Sequence, residues 1–335
     1  MNRFILLLIL FCLQLDAGNK KILVVNRSEA VVADWAKNAP NAELVRVTPE
    51  TVMDHIADAD GFVGNIKPKH VRAGKNLKWV QILSAGAEKV LHLSGGTDLR
   101  DSSIVLTNNQ IVQGPEIADH AMAMLLAFTR DIPSFIGDRQ RGTWTRRTEK
   151  LIELHGKTAI VIGVGGIGMQ IAQRAWAFGM YVIGIDPDDV PFSPFIKYVV
   201  KPDRLDEVLP EGDVVFMAAP HTPESHKMIG SKQFELMKKG SYFIAVSRGG
   251  TYDLNSLVKA LDSQKLTAAG VDVTDPEPLP AGHALWQFDN VIVTPHIAGR
   301  SDQDRSRMFG IVRDNIRRFS EGKPLLNVVD KKKGY

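Results

Sequence analysis

The sequence predicts an α/β protein with two domains, each built on a doubly wound parallel sheet. Short apolar runs alternate with segments of helical spacing along nearly the whole chain, which is the pattern of βαβ units. These runs fall into two sets, and a chain of 335 residues is longer than one hydrophobic core usually organises. At the start of the second set, a glycine-rich loop joins a strand to a helix. Together these observations favour a pair of α/β domains.

The first set of apolar runs predicts a parallel sheet that begins near Lys20. Its predicted strands are Ile22–Val25, Gly61–Val63, Trp79–Leu83 and Ile104–Leu106. The pattern then changes at 116–130, where apolar residues lie on nearly every side of a helix. Such a helix is buried on more than one face. We expect it to stop at Pro133.

The second set begins at Thr158 and is richer in valine and isoleucine. Its predicted strands are Ala159–Ile162, Tyr181–Ile185, Val214–Met217, Tyr242–Val246, Ala268–Val271 and Val291–Val293. Helical spacing fills the gaps, for example over Ile167–Phe178 and Leu254–Leu261. Near-continuous apolar strands alternating with helices indicate a sheet covered on both faces. A last helix is predicted between Gly299 and Phe319, followed by an extended apolar segment, Leu325–Val329.

The composition is that of an ordinary globular protein, with 44% hydrophobic and 24% charged residues. These fractions exclude a disordered, collagen-like or polytopic membrane chain. Lys and Arg total 41 against 38 Asp and Glu, a net charge of +3. So small an excess on so large a surface gives no electrostatic footprint for nucleic acid. We therefore expect a small neutral or anionic partner.

Residues 1–18 have the pattern of a secretory signal peptide. Arg3 gives a positive start, an apolar run extends over Phe4–Leu13, and small residues follow at Ala17 and Gly18. The run is too short for a comfortable bilayer crossing, so we expect no stable membrane span. The alternative is an N-terminal strand of a cytosolic protein.

The only cysteine of the chain, Cys12, lies inside this N-terminal segment. If the segment is cleaved, the mature chain has no cysteine. Disulfides, zinc–thiolate sites and cysteine nucleophiles are then excluded. We expect no metal centre.

The strongest local motif is Gly163-Val164-Gly165-Gly166-Ile167-Gly168, a GxGxxG pattern. It follows a predicted strand directly and opens a predicted helix, which is the context that dinucleotide binding requires. Gly163 permits the tight turn, Gly165 lets the backbone approach a pyrophosphate, and Gly168 lets helix and strand pack closely. The N–H groups at the start of the helix then face the phosphates.

Asp186 ends the next predicted strand. A carboxylate there can accept hydrogen bonds from both ribose hydroxyls and repels a 2′-phosphate, so we predict NAD rather than NADP. Alone, Asp186 would be read as the start of a turn before Pro187. A methyltransferase could share the loop and the acid, but it has no need of the residues that follow.

Three later segments each place a polar side chain just beyond a predicted strand: Arg248, Glu277 and His296. Parallel strands bring their carboxyl ends to one edge of the sheet, where ligands bind in such folds. Hydride transfer to a ketone needs an acid for the forming alkoxide, and histidine titrates in the right range. A neighbouring carboxylate orients the imidazole, and an arginine fork polarises the carbonyl and binds a carboxylate.

On these residues the chain resembles the D-isomer-specific 2-hydroxyacid dehydrogenases, especially the glyoxylate and hydroxypyruvate reductase-like branch. The matching segments are Ser84–Glu88, Ala118–Ala121, the glycine loop, His221–Ser225, Ser247–Gly250, Asp272–Pro278, Leu285–Gly299 and Asn327–Tyr335. They occur in order from about residue 20 to residue 335. Glu277 speaks against the formate dehydrogenase branch, which carries glutamine there. The long phosphoglycerate dehydrogenases carry a further C-terminal regulatory domain that we do not expect here.

The resemblance implies roles for the candidate site residues. Arg248 would bind the substrate carboxylate and carbonyl, with help from backbone amides at Ala85 and Gly86. His296 would be the acid/base and Glu277 its partner. The cofactor would be NAD(H), with NADH preferred over NADPH, and the substrate a small 2-oxo acid such as glyoxylate or hydroxypyruvate.

For the cofactor, the resemblance implies that Asp272 contacts the nicotinamide carboxamide and Asp186 the adenosine ribose. The full predicted set of cofactor contacts is Gly163, Gly165, Gly166, Ile167, Gly168, Asp186, His221, Ser247, Arg248, Asp272, His296 and Gly299. We expect pocket walls around Asn65, Ser84 and Trp144, and from Trp286 near the cofactor edge. Trp144 is read equally well as a lid and as a surface anchor.

The implied architecture has two Rossmann-like or flavodoxin-like domains, one of them discontinuous. Residues 19–110 and 300–335 would form the substrate domain, wrapped around an NAD-binding domain at 111–299. The helix at 116–130 resembles the family's dimer-forming element, so we expect a homodimer through it. A dimer would explain its apolar faces better than a monomer.

Two expectations stay open at this point. The signal-like segment favours export, whereas the need for a nicotinamide cofactor favours the cytoplasm. A different class of function, a non-catalytic NAD(H)-sensing protein of the corepressor type, uses the same fold and keeps the same Arg, Glu and His set. We favour the enzyme, since nuclear action conflicts with an N-terminal apolar signal.

Overall fold

A computed structural model describes residues 19–147 and 151–335 of the chain. The predicted signal segment, residues 1–18, lies outside the described residues. The two predicted sets of strands form two separate parallel sheets. The strands are β1 (Lys20–Val25), β2 (Ala42–Val47), β3 (Gly61–Val63), β4 (Trp79–Gln81), β5 (Val105–Thr107), β6 (Thr158–Ile162), β7 (Tyr181–Ile185), β8 (Tyr198–Val200), β9 (Val214–Met217), β10 (Ser241–Ala245), β11 (Leu266–Val271) and β12 (Val291–Val293).

Helices connect the strands and cover both sheets. They are α1 (Glu29–Lys37), α2 (Val52–His55), α3 (Pro68–Ala73), α4 (Glu88–Leu91), α5 (Asp98–Asp101), α6 (Gly114–Thr129), α7 (Ile132–Arg141), α8 (Gly166–Ala177), α9 (Leu205–Val208), α10 (Ser231–Leu236), α11 (Leu254–Asp262) and α12 (Asp304–Ser320).

The strand orders are those of doubly wound folds. The first sheet runs β2-β1-β3-β4-β5, and the second runs β12-β11-β10-β9-β6-β7-β8. Read from β8, the second sheet has the Rossmann order with one further strand, and the first has the flavodoxin order. In each sheet the order reverses beside its first strand, which is where open α/β sheets bind ligands. The fold class predicted from the sequence is confirmed.

Apolar side chains fill both faces of each sheet. Alternate residues of a strand point to opposite faces, and β6 illustrates this: Ile160 packs into one core cluster and Val161 into another, both fully buried. The same division occurs on β1, where Leu23 and Val24 belong to different clusters. Burial on both sides explains why these strands are continuous apolar runs.

The last helix, α12, returns to the first sheet although the second sheet precedes it in the chain. Val312 and Ile316 are fully buried in the cluster that covers β1. The Phe319 ring lies 4.9 Å from the Trp79 ring, centroid to centroid. Asn315 donates a buried hydrogen bond of 2.8 Å to Gln81. This packing agrees with the discontinuous first domain that we predict, whose boundaries stay a prediction.

Two strands are absent from our sequence-based prediction. β2 is half-exposed and carries Glu43 and Arg46, so it lacks an apolar run. β8 is a three-residue edge strand. Short or amphipathic edge strands give too weak a pattern to be recognised from composition alone.

The helix expected at 116–130 differs from the prediction in its end and in its surroundings. α6 ends at Thr129, Asp131 adopts a left-handed conformation, and Pro133 lies in the first turn of α7, a favoured place for proline. Apolar residues of α6, among them Ala118, Ala121 and Leu125, are buried in the chain's own second core. The buried apolar faces of α6 therefore need no dimer to explain them, and the homodimer itself stays a prediction.

In the parts of the chain that the structure describes, no helix is both long and apolar enough to cross a membrane.

Candidate active site

The two sheets contribute loops to one large cavity of about 1720 Å³. From the first sheet come Ala85 and Gly86, which follow β4. The second sheet contributes the glycine loop after β6, Arg248 after β10 and His296 after β12. Within each sheet, residues far apart in sequence meet because parallel strands end at the same edge, and loops from both sheets line this cavity.

The glycine loop has the geometry of a phosphate cradle. Gly163 has φ of 84°, a conformation that glycine adopts without strain. A Cβ at Gly168 would collide with the carbonyl of Gly163, so the helix can approach the strand only with glycine there. A Cβ at Gly165 would meet no atom within 4 Å, which leaves open space above the start of α8. Gly166 and Ile167 also line the cavity.

Asp186 lies at the end of β7 and lines the same cavity. Its carboxylate accepts hydrogen bonds from the amides of Val164, at 2.8 Å, and Asp188, at 2.9 Å. Each carboxylate oxygen has two lone pairs, so both keep capacity for a further donor. The two amides fix the carboxylate beside the glycine loop.

His296 and Glu277 form a pair. The Nδ1 of His296 donates to Glu277 Oε2 at 2.9 Å, because an ionised carboxylate can only accept. Glu277 Oε1 accepts from the amide of Thr274 at 3.2 Å. His296 lines the cavity and Glu277 supports it from outside the lining. The ring is thus held through Nδ1, which leaves Nε2 for a substrate.

A buried network fixes the loop that carries His296. Asp272 is only 2% exposed, and its carboxylate accepts from Thr294 Oγ1 at 2.6 Å and from the amides of Ile297 and Ala298, each at 2.9 Å. The Thr294 hydroxyl donates its only hydrogen to Asp272. It therefore acts as the acceptor towards His120 Nε2, which lies 2.9 Å away. Asp272 therefore positions the loop that carries His296, in addition to the nicotinamide contact that the resemblance implies.

Arg248 lies against the loop that follows β4. A Cβ on Gly86 would collide with its guanidinium. Its Nε donates to Glu88 Oε1 at 2.8 Å, and one terminal nitrogen donates to the carbonyl of Ser247 at 2.7 Å. Burial would raise the pKa of Glu88, but the charge and hydrogen bond of Arg248 outweigh burial and hold that pKa below its usual range. Glu88 thus orients the arginine.

The remaining predicted cofactor contacts also lie on the cavity wall. They are His221, Ser247 and Gly299. The Oγ of Ser247 is buried without a hydrogen-bond partner, and the Gly299 carbonyl accepts from Gln113 at 2.8 Å. His221 Nε2 and His226 Nδ1 are 3.0 Å apart. Burial, and then the charge of His226, lower the pKa of His221.

Two of the four residues that we expect in the pocket walls do not line the cavity. Asn65 and Ser84 line the cavity, whereas Trp144 and Trp286 do not. The Trp144 side chain is 100% exposed and makes no wall within this chain. Trp286 is half-exposed, and its Nε1 donates to the carbonyl of Pro280 at 2.9 Å. Trp144 lies in a polar run, and such a run does not indicate whether a tryptophan lines a pocket or lies on the surface.

Sequence reasoning assigned no role to Glu88 or Thr294. Glu88 is the only acidic residue of the matching segment Ser84–Glu88, which follows β4. Its position two residues after Gly86 was the sequence feature that could have indicated a role. No sequence feature indicated a role for Thr294, because that role depends on its contacts with Asp272 and His120 in the folded chain.

The residues present fit a nicotinamide dinucleotide. Open space above Gly165, free N–H groups at the start of α8, spare acceptors on Asp186 and the unpartnered Ser247 hydroxyl all line one cavity. Among residues 19–147 and 151–335, no group of three or more His, Cys, Asp or Glu side chains is arranged to hold a metal ion.

Comparisons with known proteins agree with this geometry. Residues 122–298 match the family model described as D-isomer specific 2-hydroxyacid dehydrogenase, NAD binding domain. The chain is 31% identical to a hydroxypyruvate reductase of Thermotoga maritima over 292 residues, which is 86% of this chain and 90% of that protein. It is 34% identical to a D-3-phosphoglycerate dehydrogenase of Methanocaldococcus jannaschii over 85% of this chain, but spans only 54% of that longer protein.

Among solved structures, the chain is similar to an NADPH-dependent glyoxylate/hydroxypyruvate reductase of Sinorhizobium meliloti in complex with NADP and sulfate. The TM-score is 0.79 at 25% sequence identity, covering 94% of this chain and 100% of that chain.

Proposed function

Because the chain belongs to the D-isomer specific 2-hydroxyacid dehydrogenase family, we propose that it is an NAD(H)-dependent reductase of small 2-oxo acids. The observation that carries the proposal is the meeting of Arg248, Gly86 and His296 on the wall of the cavity that the glycine loop also lines, with Glu277 holding His296 from behind the wall. Glyoxylate and hydroxypyruvate, which name several relatives, are the first substrates to test.

The protein residues divide the chemistry among them. Arg248 and the amides near Gly86 bind the substrate carboxylate and set C2 in place, since a guanidinium fork fits a carboxylate. His296 Nε2 donates a proton to the carbonyl oxygen as it becomes an alkoxide. Glu277 keeps the imidazole oriented through Nδ1. The nicotinamide, when bound, supplies or accepts the hydride.

A turnover screen tests the proposal. Glyoxylate, hydroxypyruvate, pyruvate and phenylpyruvate are each mixed with NADH or NADPH, and the absorbance of the reduced cofactor is followed. We expect reduction of at least one of them. Binding of NADH without turnover of any would contradict the enzyme and favour a nucleotide-sensing protein.

We predict that NADH supports a higher kcat/KM than NADPH and that Asp186→Asn narrows this ratio by about tenfold or more. The variant removes a negative charge that would face the 2′-phosphate, so a like-charge repulsion is lost. The Sinorhizobium meliloti relative is named as NADPH-dependent, so the preference needs measurement in this chain. Steady-state kinetics with both cofactors measure it.

The matched control is Asp262→Asn, which makes the same charge change at an exposed position outside the cavity. It should leave the ratio unchanged. Equal use of both cofactors by the unaltered protein would remove Asp186 from its role.

Glu277→Gln should move the pH dependence of both reaction directions to lower pH. Reduction needs the protonated imidazole and falls as pH rises, whereas oxidation needs the neutral ring and rises over the same range. The amide keeps an acceptor at 2.9 Å from His296 but removes the charge that favours the imidazolium. The measurement is kcat/KM against pH in both directions, with a cofactor deuterium isotope effect to show that hydride transfer limits the rate.

The control for this pair is Glu235→Gln on the exposed side of α10. It should leave both profiles in place. Unchanged profiles in Glu277→Gln would separate Glu277 from the proton transfer.

A homodimer and export through the 1–18 segment stay predictions. Size-exclusion chromatography with light scattering measures the oligomeric state. The N-terminal sequence of the mature native protein shows whether the 1–18 segment is cleaved.

A further inference from the structure

A second group of basic side chains lines the same cavity. We call Arg27, Lys67, His70 and Arg305 the distal cluster. Arg27 follows β1, Lys67 and His70 lie between β3 and the end of α3, and Arg305 begins α12. No member takes part in the chemistry derived above.

The three permanent cations of the distal cluster have no carboxylate within ion-pair distance among the described residues. Asp304, which precedes Arg305, is paired with Arg300 at 3.0 Å. Glu50 is the acid whose charge interacts with Lys67, but the two are too far apart for an ion pair. Positive charge therefore accumulates here without an ion pair among the described residues.

One donor of Arg27 has no partner. Its Nε is buried without a hydrogen-bond partner, although the guanidinium makes a cation–π contact with the Phe309 ring, 5.9 Å from the ring centre. Burial, and then the charge of Arg305, lower its pKa. Buried donors are rarely left unsatisfied, so such groups are usually partnered in the working state of a protein.

His70 provides independent evidence for a missing acceptor. It is only 3% exposed and lines the cavity. Its Nδ1 accepts from the Lys67 amide at 3.2 Å, so in the neutral ring the hydrogen lies on Nε2, which is buried without a partner. Burial and the charges of Lys69 and Lys67 lower its pKa, which keeps the ring neutral and Nε2 a donor.

The sheet order fixes where the distal cluster lies relative to Gly86. β1, β3 and β4 are neighbours, so the loops after them follow one another along a single edge. Neighbouring strands are about 4.8 Å apart, which places the loop after β1 about 10 Å from the loop after β4. The long Arg27 side chain covers part of this distance. An anion bound there would be several bonds from a carboxylate held at Gly86.

We propose that Arg27, Arg305 and His70 bind an anionic group at the far end of the substrate, a carboxylate or a phosphate. The preferred substrate is then a 2-oxo acid with a second anionic group, rather than glyoxylate or another acid with an uncharged end. This inference rests on the proposed function and specifies its substrate class.

Matched substrate pairs test the proposal. 2-Oxoglutarate is compared with 2-oxopentanoate, and 3-phosphohydroxypyruvate with hydroxypyruvate, which separates a distal carboxylate from a distal phosphate. In at least one pair, kcat/KM should be about tenfold or more higher for the member with the second anion, the scale of one charge-assisted hydrogen bond.

Arg27→Gln should reduce that ratio by about tenfold through a higher KM of the dianionic member, and leave kcat/KM of the uncharged-end member within about twofold. Arg305→Gln, at an exposed position, gives the same test if Arg27→Gln does not fold. Arg313→Gln, on the same helix and paired with Asp34 at 3.7 Å outside the cavity, is the matched control.

The outcomes separate the two proposals. Equal kcat/KM within both pairs, or a ratio that Arg27→Gln leaves intact, overturns the distal anion subsite while the reductase stands. No turnover of any member overturns the reductase itself. If inorganic phosphate stimulates hydroxypyruvate reduction and Arg27→Gln abolishes this, the cluster binds a free anion, and its assignment to the substrate is wrong.

Discussion

His296→Ala should lower kcat for 2-oxo acid reduction about a hundredfold or more, the usual scale for the loss of a general acid. Glu277 cannot replace it, because Glu277 contacts Nδ1 and lies outside the cavity lining. The backbone of His296 has φ of 53°, a region that disfavours most side chains. His296→Ala therefore removes the acid and also lowers the stability of the loop. His296→Asn separates the two effects, since asparagine tolerates this conformation.

The measurement is steady-state reduction, together with NADH binding followed by cofactor fluorescence. Both variants should bind NADH with an affinity close to that of the unaltered protein. Turnover within about tenfold of the unaltered rate in a folded His296→Asn would contradict the acid/base role.

Arg248→Gln should lower kcat/KM about a hundredfold to a thousandfold, the scale for removing one preorganised donor at a reacting oxygen. Arg248→Lys should not restore activity, because an ammonium cannot form the two parallel hydrogen bonds of the guanidinium fork. Both variants are assayed with the best substrate of the turnover screen.

The same change should also destabilise the fold, since it leaves the Glu88 carboxylate, 14% exposed, without its partner. The pKa of Glu88 is depressed in the folded state, so Arg248 contributes stability above the ordinary glutamate pKa, and that contribution is lost as pH falls. The loss of stability caused by Arg248→Gln should therefore be smaller at acidic pH than at neutral pH.

The double variant Arg248→Gln/Glu88→Gln separates stability from catalysis. It replaces the ion pair by two neutral amides and should recover much of the unfolding midpoint at neutral pH, measured by thermal denaturation. Activity should stay low. Recovery of activity in the double variant would show that Arg248 acts only by neutralising Glu88.

The sequence was sufficient where the signal is local or periodic. β3, β7, β9 and β12 have the predicted bounds, and the glycine loop lies between strand and helix as expected, because buried parallel strands are continuous apolar runs. β2 was missed because Glu43 and Arg46 interrupt its apolar residues. The pairing of His296 with Glu277 was inferable because each follows a neighbouring strand of the sheet.

Contacts that depend on packing between the two sheets were out of reach. Arg248 and Glu88 are 160 positions apart, and neither spacing nor composition joins them. Apolar residues on every side of α6 indicate burial but not by what, and here the partner is the chain's own α8 and second sheet. For Arg27, the informative fact is that its Nε has no hydrogen-bond partner, and this depends on the folded structure.

Transfer of deuterium from the cofactor tests the central claim most directly. The protein is incubated with a 2-oxo acid and NADH deuterated at both C4 positions, and the product is analysed by mass spectrometry and chiral chromatography. The account predicts a D-2-hydroxy acid with one deuterium at C2, formed at least about a hundredfold more slowly by His296→Ala. A product without deuterium at C2, or bound NADH with no product from any 2-oxo acid, would contradict it.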